Sequence, residues 1–371
     1  MKMSREITEV LKNIGTVDLE AMDETQQRLD NLTKPPGSLG RLEGLAVQLA
    51  GITGEKFPVN TQKKVIVMAA DHGVTDEGIS AFPKEVTAQM VANFINNGAG
   101  INVLAKLVGA EVRVVDIGVA SPLDMEGVTQ AKVRPGTGNF ARELAMTREE
   151  VEKALLVGIN VAREEIDAGV KVLATGEMGI GNTTASSAVM SALTGYAPAA
   201  VVGPGTGLEE KDLEKKISVV EQALALHKPE AKDPVDVLSK VGGLEIAGLT
   251  GMIIGAASRR CPVIIDGFIS TVAALTAVKL NSRVLNFLIP SHLSQEPGHN
   301  MLLEYMELKP YLQMNMRLGE GTGAALAMNL VEASSRIIHE MATFGEAGVS
   351  GKEEELMDED ISCSTRVDEH E

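Results

Sequence analysis

Six short runs of β-branched and aliphatic residues recur along this chain, at 64–70, 111–118, 169–175, 199–202, 262–266 and 283–289. Each is apolar almost throughout rather than alternating, which is the pattern of strands buried on both faces. A glycine- or acid-bearing turn and then a helical pattern follow the runs. That order predicts an α/β domain built on a parallel sheet. Ligands of such sheets bind beyond the carboxyl ends of the strands, so the turns at those ends are the first place to look for chemistry.

The two ends of the chain read differently. Helical patterns cover 5–13, with Ser4 as cap, then 17–31, then 41–50 after the loop KPPGSLG at 34–40. A long helical pattern at 323–344 closes the fold. The expected division is therefore 1–60 as N-terminal helices of a small domain and 61–319 as the parallel α/β catalytic domain. Residues 320–344 form a helix returning to the small domain, and 345–371 an acidic tail. That tail carries ten acids against two bases with almost no apolar periodicity, and reads as disordered.

Composition excludes several classes of function. With 34 basic against 51 acidic residues the formal net charge is −17, which repels phosphate backbones and argues against nucleic acid as a partner. Trp is absent and aromatics make up 3 %, so base-stacking platforms are missing. Cys261 and Cys363 are too few for a disulfide framework or a zinc site. The N-terminus lacks the apolar core of a signal peptide. The longest uncharged stretch, 179–208, is broken by Gly, Pro, Asn, Ser and Thr, which excludes a membrane span. A reducing cytoplasm is the expected compartment.

Glycine and carboxylate dominate the strand ends, and the 37 glycines are expected to concentrate there. The segment 176–183 has the outline of a Walker A loop, but Asn182 stands where the lysine belongs, which argues against an ATPase. Its backbone N–H groups can still hold one phosphate. A second glycine loop at 203–207 is followed by Lys215 and Lys216 on a helix. Glu177 lies in the first loop, either as a working carboxylate or as an ordinary ion-pair partner. Glu320, between Gly319 and Gly321, reads equally as an enclosed base or as a helix-start acid. None of the six histidines has HExxH spacing, yet Asp71, His72 and Asp116 keep a metal-dependent hydrolase open as an alternative. A non-catalytic nucleotide-binding regulator is a third reading. No GxSxG elbow is present, and the 17 methionines are read as core filling.

Nine segments carry a resemblance to a known family: KPPGSLGRLE (34–43), AADHGV (69–74), FPKEVTAQMV (82–91), RPGTGNFARE (134–143), GEMGIGNTT (176–184), GPGTG (203–207), IDGFIS (265–270), SHLSQEPGH (291–299) and RLGEGTGAALAM (317–328). In this order they resemble the nicotinate-nucleotide–dimethylbenzimidazole phosphoribosyltransferases, enzymes of cobalamin nucleotide-loop assembly. The resemblance implies a Rossmann-like parallel sheet flanked by helices, a small helical domain from both chain ends, and a homodimer. It implies transfer of 5-phosphoribosyl from nicotinate mononucleotide to 5,6-dimethylbenzimidazole or a related base, without metal or organic cofactor. Glu320 is then the general base and Glu177 its supporting carboxylate. Gly179, Gly181, Asn182, Thr183, Gly205 and Lys216 would hold the phosphate and ribose. Phe82, Met90, Met178 and Leu318 would form the acceptor-base pocket. Phe82 and Met90 replace polar side chains of some relatives; other benzimidazoles, purines and phenolics stay open as acceptors, and the apolar pair favours a flat hydrophobic ring.

Overall fold

A computed structural model describes residues 3–59, 62–205, 207 and 210–350. Among them six strands form one parallel sheet: β1 (Lys63–Ala70), β2 (Glu111–Gly118), β3 (Val128–Gln130), β4 (Val172–Met178), β5 (Val263–Ile265) and β6 (Leu288–Pro290). The spatial order is β3-β2-β1-β4-β5-β6. The order reverses between β1 and β4, which is where a doubly wound sheet opens a crevice. In β1, Ile66, Met68 and Ala70 enter one hydrophobic core while Val65, Val67 and Ala69 enter the other. This two-residue alternation between two buried faces explains why the run is apolar without a break.

Three sequence expectations change here. Residues 199–202 are not a strand; Pro198–Val201 is a short helix, with Pro198 at its first position, where its missing N–H is not needed. In the run at 283–289 most residues form a 3₁₀ turn, Ser282–Phe287, and only Leu288–Pro290 joins the sheet. The strand expected at 169–175 runs instead from Val172 to Met178, so Glu177 lies in the strand, opposite Met68, rather than in the loop beyond it. The short edge strand β3, of mixed polarity, carries no sequence signal.

The two chain ends meet. Leu29, Leu32, Ala46 and Ile338 form a separate small core between the helices Leu19–Asn31, Arg41–Thr53 and Thr322–Glu340. An antiparallel bridge joins Leu32 to Thr343. The first helix, Arg5–Lys12, capped by Ser4, packs instead on Arg148–Asp167 and Leu244–Ser258, so the expected 1–60 unit is divided between cores. The loop after residue 33 is held by a buried Lys34–Glu43 pair at 2.8 Å, with Glu43 also accepting the N–H groups of Gly37 and Leu39. Arg41 lies over the Tyr311 ring and donates to the carbonyls of Lys309 and Pro310. Beyond this unit Phe344–Ala347 is a short helix capped by Thr343, inside the stretch expected to be disordered. Residues 351–371 of that expected tail lie outside the described residues.

Glycine also serves helix packing. A Cβ on Gly158 would stand 1.8 Å from the Gly248 carbonyl, and one on Gly251 would stand 2.0 Å from that of Leu155. The helices Arg148–Asp167 and Leu244–Ser258 therefore touch backbone to backbone, and part of the glycine excess belongs to this contact rather than to the strand ends. Gly158→Ala should cost about 3 kcal/mol through forced separation of the helices. Urea unfolding measures it; a loss below about 1 kcal/mol would show that the contact yields easily.

Candidate active site

The carboxyl ends of β4, β5 and β6, with the start of the helix Glu85–Ile95 that follows β1, surround a cavity of about 290 Å³. Glu177, Glu320, Phe82, Met90, Met178 and Leu318 all line it, together with Gly179, Asn182, Thr183 and Gly205. A smaller cavity of about 30 Å³ adjoins it through shared residues and adds Gly181, Lys216 and Ser80. Every residue singled out from the sequence for the transferase site thus borders one of two connected spaces.

Glu320 owes its position to tertiary contacts. Its φ of +63° is a left-handed conformation disfavoured for a side chain with a Cβ, and it persists because the surroundings impose it. Asp266, just beyond β5, accepts the N–H groups of Gly321 at 3.1 Å, Gly323 at 2.8 Å and Ala324 at 3.0 Å. These bonds hold the turn that opens Thr322–Glu340. Gly176 of β4 lets that turn lie directly on the strand, since a Cβ there would come 2.5 Å from the Glu320 carbonyl oxygen. Glu320 Oε2 accepts the N–H of Ile101 at 3.1 Å, in the first turn of Gly100–Leu107. Burial raises its carboxyl above the ordinary range, and the Asp266 charge adds to this against the backbone bonds of Ile101 and Gly100.

Glu177 is buried and accepts a bond from the Asn182 side-chain amide. Burial first, and then the charges of Asp266 and Glu245, push it up to about 8. At neutral pH it is therefore largely protonated in the empty site. Gly319 lies against it, at φ +83° and with no room for a Cβ, which would fall 2.3 Å from Glu177 Oε1.

The smaller cavity has the chemistry of an anion site. The helix Asn182–Thr194 begins after Gly181, at φ +94°, and residues 179–183 at its start line the opening, where the helix dipole favours an anion. Lys216 reaches the same place, its Nζ donating to Thr183 Oγ1 at 2.8 Å and the Gly203 carbonyl at 2.9 Å. Burial pushes its ammonium down to about 8, opposed by Glu296.

Four residues without an assigned role in the sequence reading belong here. Asp266 is the anchor described above. Glu296 is buried beside Lys216 and Arg317, with burial raising its carboxyl against their charges. Arg317 donates to the Gly205 carbonyl at 3.4 Å. His292 lines the cavity and pairs with Ser291 Oγ at 2.9 Å. All four sit in segments that end strands or carry motifs, so their place was legible even though their contacts were not. The residues of the hydrolase alternative do not converge. Asp71 accepts the Ala120 N–H, His72 faces Glu245, and Asp116 accepts the Val119 N–H and pairs with Lys132.

Comparison with known proteins gives consistent matches. A family model described as Phosphoribosyltransferase matches residues 14–349. Proteins named nicotinate-nucleotide–dimethylbenzimidazole phosphoribosyltransferase are similar over nearly the whole chain. The one from Chloroflexus aggregans is 54 % identical over 94 % of this chain and 99 % of its own, and that from Geobacter sulfurreducens 55 % over 93 % and 98 %. The crystal structure of CobT from Thermus thermophilus superposes with a TM-score of 0.86 at 47 % identity, covering 89 % of this chain and 99 % of that one.

The raised Glu177 carboxyl has a stability consequence. Because its folded value near 8 lies above the ordinary 4.5, its contribution is fully present below about 4.5 and is lost as pH rises through 8. Glu177→Gln, which cannot ionise, should therefore gain stability relative to the wild type between about pH 5 and about pH 9. Melting temperatures across that range test it; parallel curves would place the ionisation elsewhere.

Proposed function

This chain belongs to the nicotinate-nucleotide–dimethylbenzimidazole phosphoribosyltransferase family, and we propose on that premise how its own residues perform the reaction. The enzyme transfers 5-phosphoribosyl from nicotinate mononucleotide to 5,6-dimethylbenzimidazole, giving α-ribazole 5′-phosphate and nicotinate for cobalamin biosynthesis. The observation that carries the assignment of roles is the junction of an anion cleft with a cavity holding Glu320 at its wall.

The donor phosphate lies on Gly179, Gly181, Asn182, Thr183 and Gly205, with Lys216 supplying the cation. The acceptor ring lies against Phe82, Met90, Met178 and Leu318. Phe82 and Leu318 are about half exposed in the empty site, so a flat apolar ring covers them on binding and gains hydrophobic free energy. One ring nitrogen attacks C1′, and the bond from C1′ to the pyridine nitrogen breaks with its electron pair leaving on nicotinate. The other ring nitrogen gives its proton to Glu320. Nicotinate departs with a neutral ring nitrogen, so no general acid is required. Glu177 lines the same cavity, and its carboxyl oxygens favour the positive charge that develops on the sugar. Alignment of donor and acceptor across C1′ supplies much of the remaining acceleration.

Two structural proposals accompany this reading. The helices at 19–53 and 322–340 act as the small domain, with Glu320 at its junction with the sheet. Val103 and Leu107, exposed on the helix Gly100–Leu107 that holds the Glu320 carboxylate, favour a homodimer that covers them. Among the described residues no helix is long and apolar enough to cross a membrane.

Incubation with both substrates should release nicotinate and form the α-riboside; absence of both products at high enzyme concentration would overturn the reading. Glu320→Gln should lower kcat by at least about 10²-fold while donor affinity is retained. Full activity in that variant would place the base elsewhere. The donor kcat/KM, which reports the free enzyme, should fall as pH rises through about 8 and Lys216 loses its charge. Lys216→Met should show a higher donor KM and a weaker alkaline limb, the remainder being the ionisation of Glu177 in the same range.

A further inference from the structure

His72 and Glu245 lie outside both cavities, and the mechanism above uses neither. Both side chains are fully buried, with His72 Nε2 2.9 Å from Glu245 Oε1. Removing one partner of such a pair leaves an uncompensated buried group, whereas together they are tolerated. The imidazole occupies a slot between glycines. A Cβ on Gly243, beside the start of Leu244–Ser258, would come 2.6 Å from its Cε1. On the other side, a Cβ on Gly179 would come 3.2 Å from its Nε2, and one on Gly181 would come 3.5 Å from the His72 Cβ. The ring therefore rests against the backbone of the loop assigned to the donor phosphate. Thr75 continues the same support, donating to the His72 carbonyl at 2.7 Å while its Cγ2 lies under Gly181.

We propose that His72 and Glu245 form a positioning pair for the donor-phosphate loop, tying the end of β1 and the start of Leu244–Ser258 to the underside of residues 179–181. The inference rests on the phosphate reading of that loop. Among the described residues, three buried atoms in this group have no hydrogen-bond partner: His72 Nδ1, Glu245 Oε2 and Asp71 Oδ1. The pair is thus held by a single bond and by packing. Burial pushes the imidazole down, but the charge and hydrogen bond of Glu245, with Asp71, outweigh it and hold His72 above its ordinary range. The Glu245 charge also reaches Glu177 on the neighbouring strand, which connects the pair to the reacting centre as well as to the loop.

The test compares His72→Asn with His72→Gln in the full chain, since both amides fill the slot and only the longer one reaches Glu245. Calorimetric titration with nicotinate mononucleotide reads donor binding directly, and steady-state kinetics reads kcat and both KM values. His72→Asn should weaken donor binding about tenfold or more, with acceptor KM and saturating kcat within about threefold, and His72→Gln should restore the donor affinity to within about threefold. Equal donor affinity in the two variants, or parallel loss of donor and acceptor affinity, would overturn the proposal. Wild-type protein that binds the donor without turning over dimethylbenzimidazole would refute the assigned reaction and leave this comparison readable. Wild-type protein that binds no donor would overturn both.

Discussion

Asp266 leaves the end of β5 with its carboxylate buried and gives both oxygens to backbone N–H groups at the start of Thr322–Glu340. The arrangement places a negative charge where the helix dipole favours it and satisfies donors that a helix start leaves unpaired. It also joins the sheet to a helix contributed by the far end of the chain. Glu320 keeps its left-handed backbone only because this turn is pinned on one side by Asp266 and on the other by β4. The same charge has a second effect, since Asp266 raises the carboxyls of Glu320 and Glu177. A single side chain thus places the Glu320 carboxylate and makes it more basic, two properties that the proposed general base needs together.

Glycine is used in this fold for two unrelated reasons. At the strand ends, Gly176, Gly179, Gly181 and Gly319 allow loops and side chains to approach backbone that a Cβ would block. Between Arg148–Asp167 and Leu244–Ser258, Gly158, Gly251 and Gly255 let the helices meet at backbone distance, while Gly248 makes room for Met68 and Ile117 of the sheet. The second use supports the first. Glu245 lies in the first turn of the helix held by this contact and pairs with His72, which packs against the backbone of residues 179–181.

The electrostatics run against the overall charge. In a protein with a formal charge of −17, the proposed anion site is a helix start and one buried lysine at the end of a cleft, a local field set against the distant surface acids. The carboxyls of Glu177, Asp266 and Glu320 are all raised, and the largest cause in each case is burial. In the proposed reaction such a cluster favours the positive charge that appears on the sugar during transfer.

Much of this was legible in residue order. The apolar runs located most of β1, β2 and β4 because burial on both faces leaves a local record, and the motif glycines located the rim. Each residue named for the transferase site from motif position lies on one of the two cavities. Local pattern failed where the determining partner is remote: the run at 199–202 has strand composition and lies at a short helix, and β3 is short enough to be defined only by its pairing with β2. The sequence by itself therefore determined that a parallel α/β rim rich in glycine and carboxylate would form, since side-chain periodicity and turn chemistry act between neighbours. Tertiary structure alone decided that Asp266 is an anchor, that Glu177 belongs to a strand, that His72 faces Glu245 and that Glu320 is strained. Those outcomes depend on hydrogen bonds and desolvation between residues far apart in the chain, which no local pattern records.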